Sequence, residues 1–191
     1  MKKSNVTVPV FPLPIFLLPE GITRLRIFEP RYLKMVKIAS QEQGFVLGLH
    51  TNEKQSPATQ WGSWVDIINF DRGEDGILEI DVKCHALVEV LSLVENSDNL
   101  RFGDVSSMSH WSQGRAELPI LQLAQSLQQV FENNEALNEL YSDKLMKNSN
   151  WVIARWLELL PVNIDVKNTF VERYTVEDAK GFVQSIIYKE T

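Results

Sequence analysis

The chain has 191 residues, 44% of them hydrophobic and 23% charged, which describes a folded globular protein and excludes a disordered one. Its formal net charge of -6 argues against general nucleic-acid binding, because phosphate neutralisation needs clustered Lys and Arg. A single cysteine, Cys84, excludes an intramolecular disulfide.

The first apolar run, Val8 to Leu18, follows Met1-Lys2-Lys3 and has the outline of an export signal. Pro9, Pro12 and Pro14 lie inside it, where each would remove a helical donor and clash with the preceding turn. No small-x-small cleavage site follows, and the run is too short for a bilayer. It is therefore expected to be an edge strand and turn, with the cytoplasm as the default compartment.

Ile22–Phe28 alternates, with Thr23, Leu25 and Ile27 on one face and Arg24 and Arg26 on the other. Glu29-Pro30 breaks that period and predicts a helix over 30–41, with Leu33, Val36 and Ala39 or Ser40 inward and Gly44 as its C-terminal cap. Phe45, Leu47 and Leu49 restart the strand period, and 51–59 reads as a surface loop. A strand over 64–71, a turn at Arg72–Gly76 and a long return strand follow. In that return strand Leu78, Ile80, Val82, Cys84, Ala86, Val88 and Val90 face one way, and Glu79, Asp81, Lys83, His85 and Glu89 the other. A strand of such length must bend or change partners partway. A turn at Asn96–Asn99 and a strand over 100–106 complete the β-rich part.

The period then becomes helical. Leu118, Leu121, Ala124 or Gln125, Leu127, Val130 and Phe131 form one stripe, and Leu137, Leu140 and Tyr141 a second. Trp151, Val152, Arg155, Trp156 and Leu159 form a third, with Ser149 as the expected N-cap and Pro161 as the stop. Asp165 is expected to cap a short fourth helix, and Thr175 to open a last one burying Ala179, Phe182, Val183 and Ile186. Strands followed by helices predict an α+β chain of two subdomains, 1–115 and 116–191. The first carries a net charge of -2 and the second -4.

Chemistry is hard to find. No glycine precedes a lysine, so a phosphate-cradling loop is absent, and Trp61-Gly62-Ser63-Trp64 lacks the second glycine of a nucleophile elbow. His50, His85 and His110 are far apart, and the adjacent Cys84 and His85 point to opposite faces of one strand. Asp71, Glu74 and Asp75 match no calcium loop. No metal or cofactor is expected. Arg24, Arg26, Arg31, Lys34 and Lys37 form a local basic patch, read as a solvated face or as a contact for an acidic partner. Arg31 and Tyr32 admit two readings: an ion pair and a packed ring at a helix start, or the border of a partner-binding groove. Core packing is the default for most of the five tryptophans; Trp61 and Trp111, in loop contexts, are the best candidates for an exposed aromatic anchor.

Two segments carry a family likeness. "FPLPIFLLPEGITRLRIFEPRYLKMV" (11–36), through Pro12-Leu13, Phe16, Pro19, Leu25, Ile27-Phe28-Glu29, Arg31-Tyr32 and Met35, resembles the start of the Lon (La) protease N-terminal substrate-binding domain and its stand-alone relatives. "ARWLELLPVNIDVKNTFVE" (154–172) is similar to that family's later helical signature, in which a Leu-Pro turn separates two helices. One departure stands out. Many members have Gly-x-x-Arg-Phe in the long strand, where this chain reads Cys84-His85-Ala86-Leu87-Val88. The resemblance implies a PUA-like β pseudo-barrel followed by a helical bundle. It further implies recognition of polypeptide substrates or partner proteins without catalysis; the reading built on it is that unfolded segments or a partner, the Lon machinery being one candidate, are held in the cleft between barrel and bundle. The alternative it leaves open is RNA binding through the barrel.

Overall fold

In the computed structural model, residues 6–52, 59–111, 120–171 and 175–188 are described. The chain divides into two units, Met1–Met108 and Ser109–Thr191. The expected boundary at 115/116 lies outside the described residues.

The proline-rich start forms β1 (Val6–Phe11), followed by a tight descent. The Leu13 N–H bonds the Phe11 carbonyl and the Ile15 N–H bonds that of Leu13, both at 2.8 Å. Each is a three-residue turn with a proline at its centre, where the ring's fixed φ suits the geometry. β1 is not the expected edge strand: it pairs with β3 (Phe45–Asn52) in parallel and with β6 (Arg101–Ser107) antiparallel. Pro9 is tolerated there because pairing with β3 begins only at Val10.

β2 (Ile22–Ile27), β4 (Thr59–Arg72) and β5 (Leu78–Glu95) complete a mixed six-stranded sheet in the order β2-β5-β4-β3-β1-β6, with a further β5–β6 pairing. β5 resolves the problem its length posed. One flank pairs with β4, while the other pairs with β2 over 78–83 and with β6 over 88–95. Register shifts at Trp64/Val65, Ile67/Asn69 and Val90/Ser92 supply the bending. Val8, Val10, Val46, Val88, Val90 and Val105 form one buried cluster, with Val6, Leu49 and Trp64 packed against it. Five strands thus contribute to a single apolar interior.

α1 (Pro30–Gln41) starts with Pro30 in its first turn and buries Met35, Val36 and Ala39. Leu33, expected inward, is exposed. The inward row runs through half-buried Tyr32 and buried Met35, Val36 and Ala39, a 3.6-residue stripe that leaves position 33 outside. Gly44 ends the helix as expected: its N–H bonds the Ala39 carbonyl and its φ is +72°.

The second unit contains α2 (Leu121–Glu132), α3 (Glu135–Leu140), α4 (Ser149–Leu159), α5 (Ile164–Asn168) and α6 (Val176–Ile187). α2 buries Leu123, Ala124, Leu127 and Phe131, whereas Leu121 is exposed and Leu118 lies outside the described residues. Every residue of α4 from Trp151 to Leu157 is buried, so no single stripe describes it. Arg155 is accommodated there by a two-pronged bond to Glu158, at 2.7 and 2.6 Å, and Leu159 turns outward. The Trp151 ring stacks on Phe131, and Tyr141 meets both edge-on. The caps fall upstream of their expected positions: Asn148 rather than Ser149 accepts from the Trp151 N–H, and Asn163 rather than Asp165 caps α5. An asparagine before each helix offers its carbonyl oxygen to the first free amides.

Two histidines are structural. His50 places Nε2 3.0 Å from the Ile15 carbonyl and lies against the Phe16 and Trp61 rings. Burial pulls its pKa below the ordinary 6.5, opposed by that carbonyl. His110 holds the Val171 carbonyl through Nδ1 at 3.0 Å, and burial takes it down to about 4.

Two outcomes are expected. Gly44→Ala places a Cβ 2.0 Å from the Val65 carbonyl oxygen at a left-handed φ, and urea unfolding should show a loss of about 1–3 kcal/mol. For the histidines, the unfolded chain binds more protons than the folded one below the ordinary 6.5. Their stabilisation is complete above that pH and is lost as pH falls toward about 4, so the thermal midpoint should decline across this window. A midpoint that rises on acidification would contradict the assignment.

Candidate functional site

The start of α1 is an exposed feature of the first unit held by several side-chain bonds. Glu29 precedes the helix without capping it through its side chain and instead accepts from Arg31 Nε at 2.8 Å. The Arg31 guanidinium lies 4.6 Å over the Tyr32 ring, and its Nη1 reaches the Asn99 carbonyl at 3.5 Å. One turn later Lys34 pairs with Asp98 at 2.7 Å. The 96–100 turn that receives both cations is itself fixed, because the Asn96 side chain accepts from the Asp98 and Leu100 amides. Tyr32 packs inward on Phe11 at 4.1 Å, and Phe11 on Phe45 at 6.3 Å. The ion-pair-and-packed-ring arrangement at residues 31 and 32 is what the structure contains.

Beside this tether stand two apolar side chains in solvent, Phe28 at 68% exposure and Leu33 at 42%. They occupy the residue before the N-cap and the fourth helical residue, positions that are neighbours at a helix start. Sequence reasoning passed over Phe28, although the two-residue period places it with Arg24 and Arg26 on the outer face. Ile68 and Phe70 on β4 are also about half exposed.

The two tryptophans that are the best sequence candidates for an exposed anchor are both buried. Trp61 is 1% exposed and packs edge-on against Phe16 and beside His50. β4 begins at Thr59, so Trp61 is a strand residue opposite His50 and Glu89 instead of a loop residue. Trp111 is 5% exposed; its indole N–H donates to the Phe170 carbonyl at 2.8 Å and its ring stacks on His110. Both rings spend their apolar surface on their own unit's core.

The basic patch is largely neutralised. Arg24 grips Asp81 with two bonds, at 2.6 and 3.0 Å, and Asn69 adds a third to the same carboxylate. These bonds hold the Asp81 carboxyl below its ordinary range. Arg26 is paired with Asp75 and Glu79, Arg31 with Glu29, and Lys34 with Asp98. Steep phosphate attraction needs free cations, which this arrangement withholds.

Other sequence candidates have structural roles. The Ser63 hydroxyl is buried and donates to the Leu17 carbonyl at 2.5 Å, and Cys84 is a core residue. His85 pairs with Asp66 at 3.0 Å on an outer surface. Among the described residues, no group of three or more His, Cys, Asp or Glu is placed to hold a metal, and no helix is long and apolar enough to cross a membrane.

The architecture has solved counterparts. A Lon N-terminal domain protein from Xanthomonas campestris matches with a TM-score of 0.69 at 23% identity, over 95% of this chain and 98% of that one. The N-terminal domain of a Mycobacterium avium complex Lon protease matches at 0.62 and 11% identity, over 94% of this chain and 97% of that one. No curated protein matches the sequence. The family model of the ATP-dependent protease La (LON) substrate-binding domain matches residues 7–173. That match takes in both the strands of the first unit and most of the helices of the second, and the chain belongs to this substrate-binding domain family.

Proposed function

We propose that this protein is a non-catalytic module that holds unfolded polypeptide segments or a partner protein, working in the cytoplasm with the Lon machinery as one of its partners. Membership of a substrate-binding domain family supports the general role, and one local observation carries the finer reading. Phe28 and Leu33 stand exposed on a ledge whose backbone is pinned by Arg31–Asn99 and Lys34–Asp98. Exposed apolar side chains on a rigid support bind with little ordering cost, because the support is already in place. Arg31, lying over Tyr32, adds a planar cation at the rim, a residue type favoured at contact centres. Trp61 and Trp111 serve this reading as scaffold only.

We also read the circuit of pairings β5-β4-β3-β1-β6-β5 as a PUA-like pseudo-barrel, because all five strands feed one valine-rich interior. The helices after residue 115 are read as the accompanying bundle. RNA binding by such a barrel is the weaker alternative, since four of the five cations in the basic patch already face carboxylates.

Denatured casein carrying a fluorescent label should show saturable anisotropy with the protein and no fragmentation, with or without ATP. Phe28→Ser combined with Leu33→Ser should weaken that binding by roughly tenfold or more while leaving the fold intact, since the side chains removed are largely in solvent. A flat titration of the wild-type protein, or peptide cleavage by a pure sample, overturns the reading. Labelled RNA should show no salt-sensitive mobility shift.

A further inference from the structure

β2 ends the strand order and is paired only with β5 among the described strands. Its register with β5 runs from Ile22 to Ile27 without a bulge. The Cys84 N–H donates to the Gly21 carbonyl, and the Cys84 carbonyl accepts from the Glu20 N–H. Cys84 therefore spends both backbone groups on the β2 side, and by antiparallel alternation Val82, Ile80 and Leu78 do the same. Their partners are Thr23, Leu25 and Ile27, so the amides and carbonyls of Arg24 and Arg26 point away from β5. The side chains agree. Arg24 opposite Asp81 and Arg26 opposite Glu79 are in the close, non-hydrogen-bonded pairs, where side chains meet most readily. Among the described residues, no backbone hydrogen bond outside the sheet ladders reaches either arginine.

Natural edge strands are protected by proline, bulges or charges projecting across the edge. β2 has no proline and no bulge. Its two arginines are drawn back over the sheet by Asp81, Glu79 and Asp75, on β5 and the turn before it. Among the described residues, the Arg24–Arg26 stretch of this edge is thus straight and carries none of these guards.

We propose that the Arg24–Arg26 edge of β2 takes an extended, basic segment of a client polypeptide as an added antiparallel strand. This rests on the polypeptide-binding reading above and specifies its mode and client chemistry. The client's charge follows from the neighbouring face. Glu20, Asp71, Asp75, Glu79 and Asp81 surround Arg24, Arg26 and Lys83, five carboxylates to three cations. An added strand with Lys or Arg on its outward positions complements that excess, whereas Glu or Asp there meets it with like charge. Main-chain bonds supply the attraction and alternate side chains the selectivity, as in other strand additions.

The test uses the full chain with two seven-residue peptides, one alternating valine with lysine and one alternating valine with glutamate, beside denatured casein. The lysine peptide should bind about three- to tenfold tighter than the glutamate peptide, a margin that shrinks with salt. On binding, the Arg24 and Arg26 amide protons should become protected from hydrogen exchange. Arg26→Pro removes an outward N–H that β5 does not use and should cost at least about tenfold in affinity, while Arg26→Ala keeps the N–H and most of the binding. If casein binds but the lysine peptide does not, or binding leaves both amides unprotected, the strand-addition proposal is overturned and the polypeptide-binding reading stands. Strand addition is equally overturned if a folded Arg26→Pro protein binds as the parent does or if the glutamate peptide binds as well as the lysine one. If neither casein nor peptide binds, the broader reading itself falls. Should Arg26→Pro fail to fold, the wild-type exchange experiment decides.

Discussion

The first unit depends on the double use of one flank of β5. An antiparallel strand normally has one neighbour on each side, and β5 has β4 along one side for most of its length. On the other it gives residues 78–83 to β2 and residues 88–95 to β6. A flat sheet cannot bring β6 back to that flank after passing through β4, β3 and β1. The curvature comes from the bulges in β4 and β5 and from residues small enough to line a tight interior. Gly62 and Gly103 stand where a Cβ would approach Val46 at 2.4 Å and Val10 at 3.1 Å. Bulges re-aim the backbone and the missing side chains let the strands close in. The same switch leaves β2 last in the strand order among the described residues, a direct consequence of how β5 is shared.

Much of this was legible in the sequence because it is written in periods. The alternation of Leu78 to Val90 and the helical stripes after Leu121 come from side-chain geometry that burial rewards residue by residue. Asn96 and Gly44 likewise advertise turns through their own backbone chemistry. What the sequence could not supply was the identity of β1's partners. A short run broken by prolines looks like an edge, and only the position of Val46 and Val105 in space shows that it is interior. The tryptophans failed for a related reason. Trp61 adjoins a polar loop and Trp111 a helix-free stretch, so sequence context suggested exposure. Each ring is instead covered by residues remote in sequence, Phe16 for one and Phe170 for the other. Long-range packing is invisible to local pattern. Phe28, by contrast, was readable: it continues the outward positions of Arg24 and Arg26, and its hydrophobic type obscured the phase.

Charge in the first unit serves placement more than attraction. Arg31 and Lys34 fix the helix start to the 96–100 turn, and Arg24 and Arg26 lie across β5. Exposed pairs of this kind contribute little stability singly, because water and salt screen them. Their structural effect is to hold long side chains in fixed directions. Because those directions lead away from the β2 edge, the pairs that hide the basic patch from phosphate also leave the backbone of Arg24 and Arg26 open.

The apolar ledge alone is too small to hold a client. Phe28 and Leu33 together present roughly 200 Å² of apolar surface, judged from typical side-chain areas, and burying it yields about 5 kcal/mol at ~25 cal/mol/Å². Association costs roughly 4–15 kcal/mol in lost freedom, so two side chains leave little or no net affinity. A binding module built on them needs a further source of attraction that does not demand a particular client sequence. Main-chain hydrogen bonding at a strand edge is such a source, since every unfolded polypeptide carries the same amides and carbonyls. The side chains then only bias the choice, toward apolar residues at the ledge and toward cations beside the carboxylates of β5. Weak side-chain preferences added to a sequence-blind ladder suit the polypeptide-binding role proposed above.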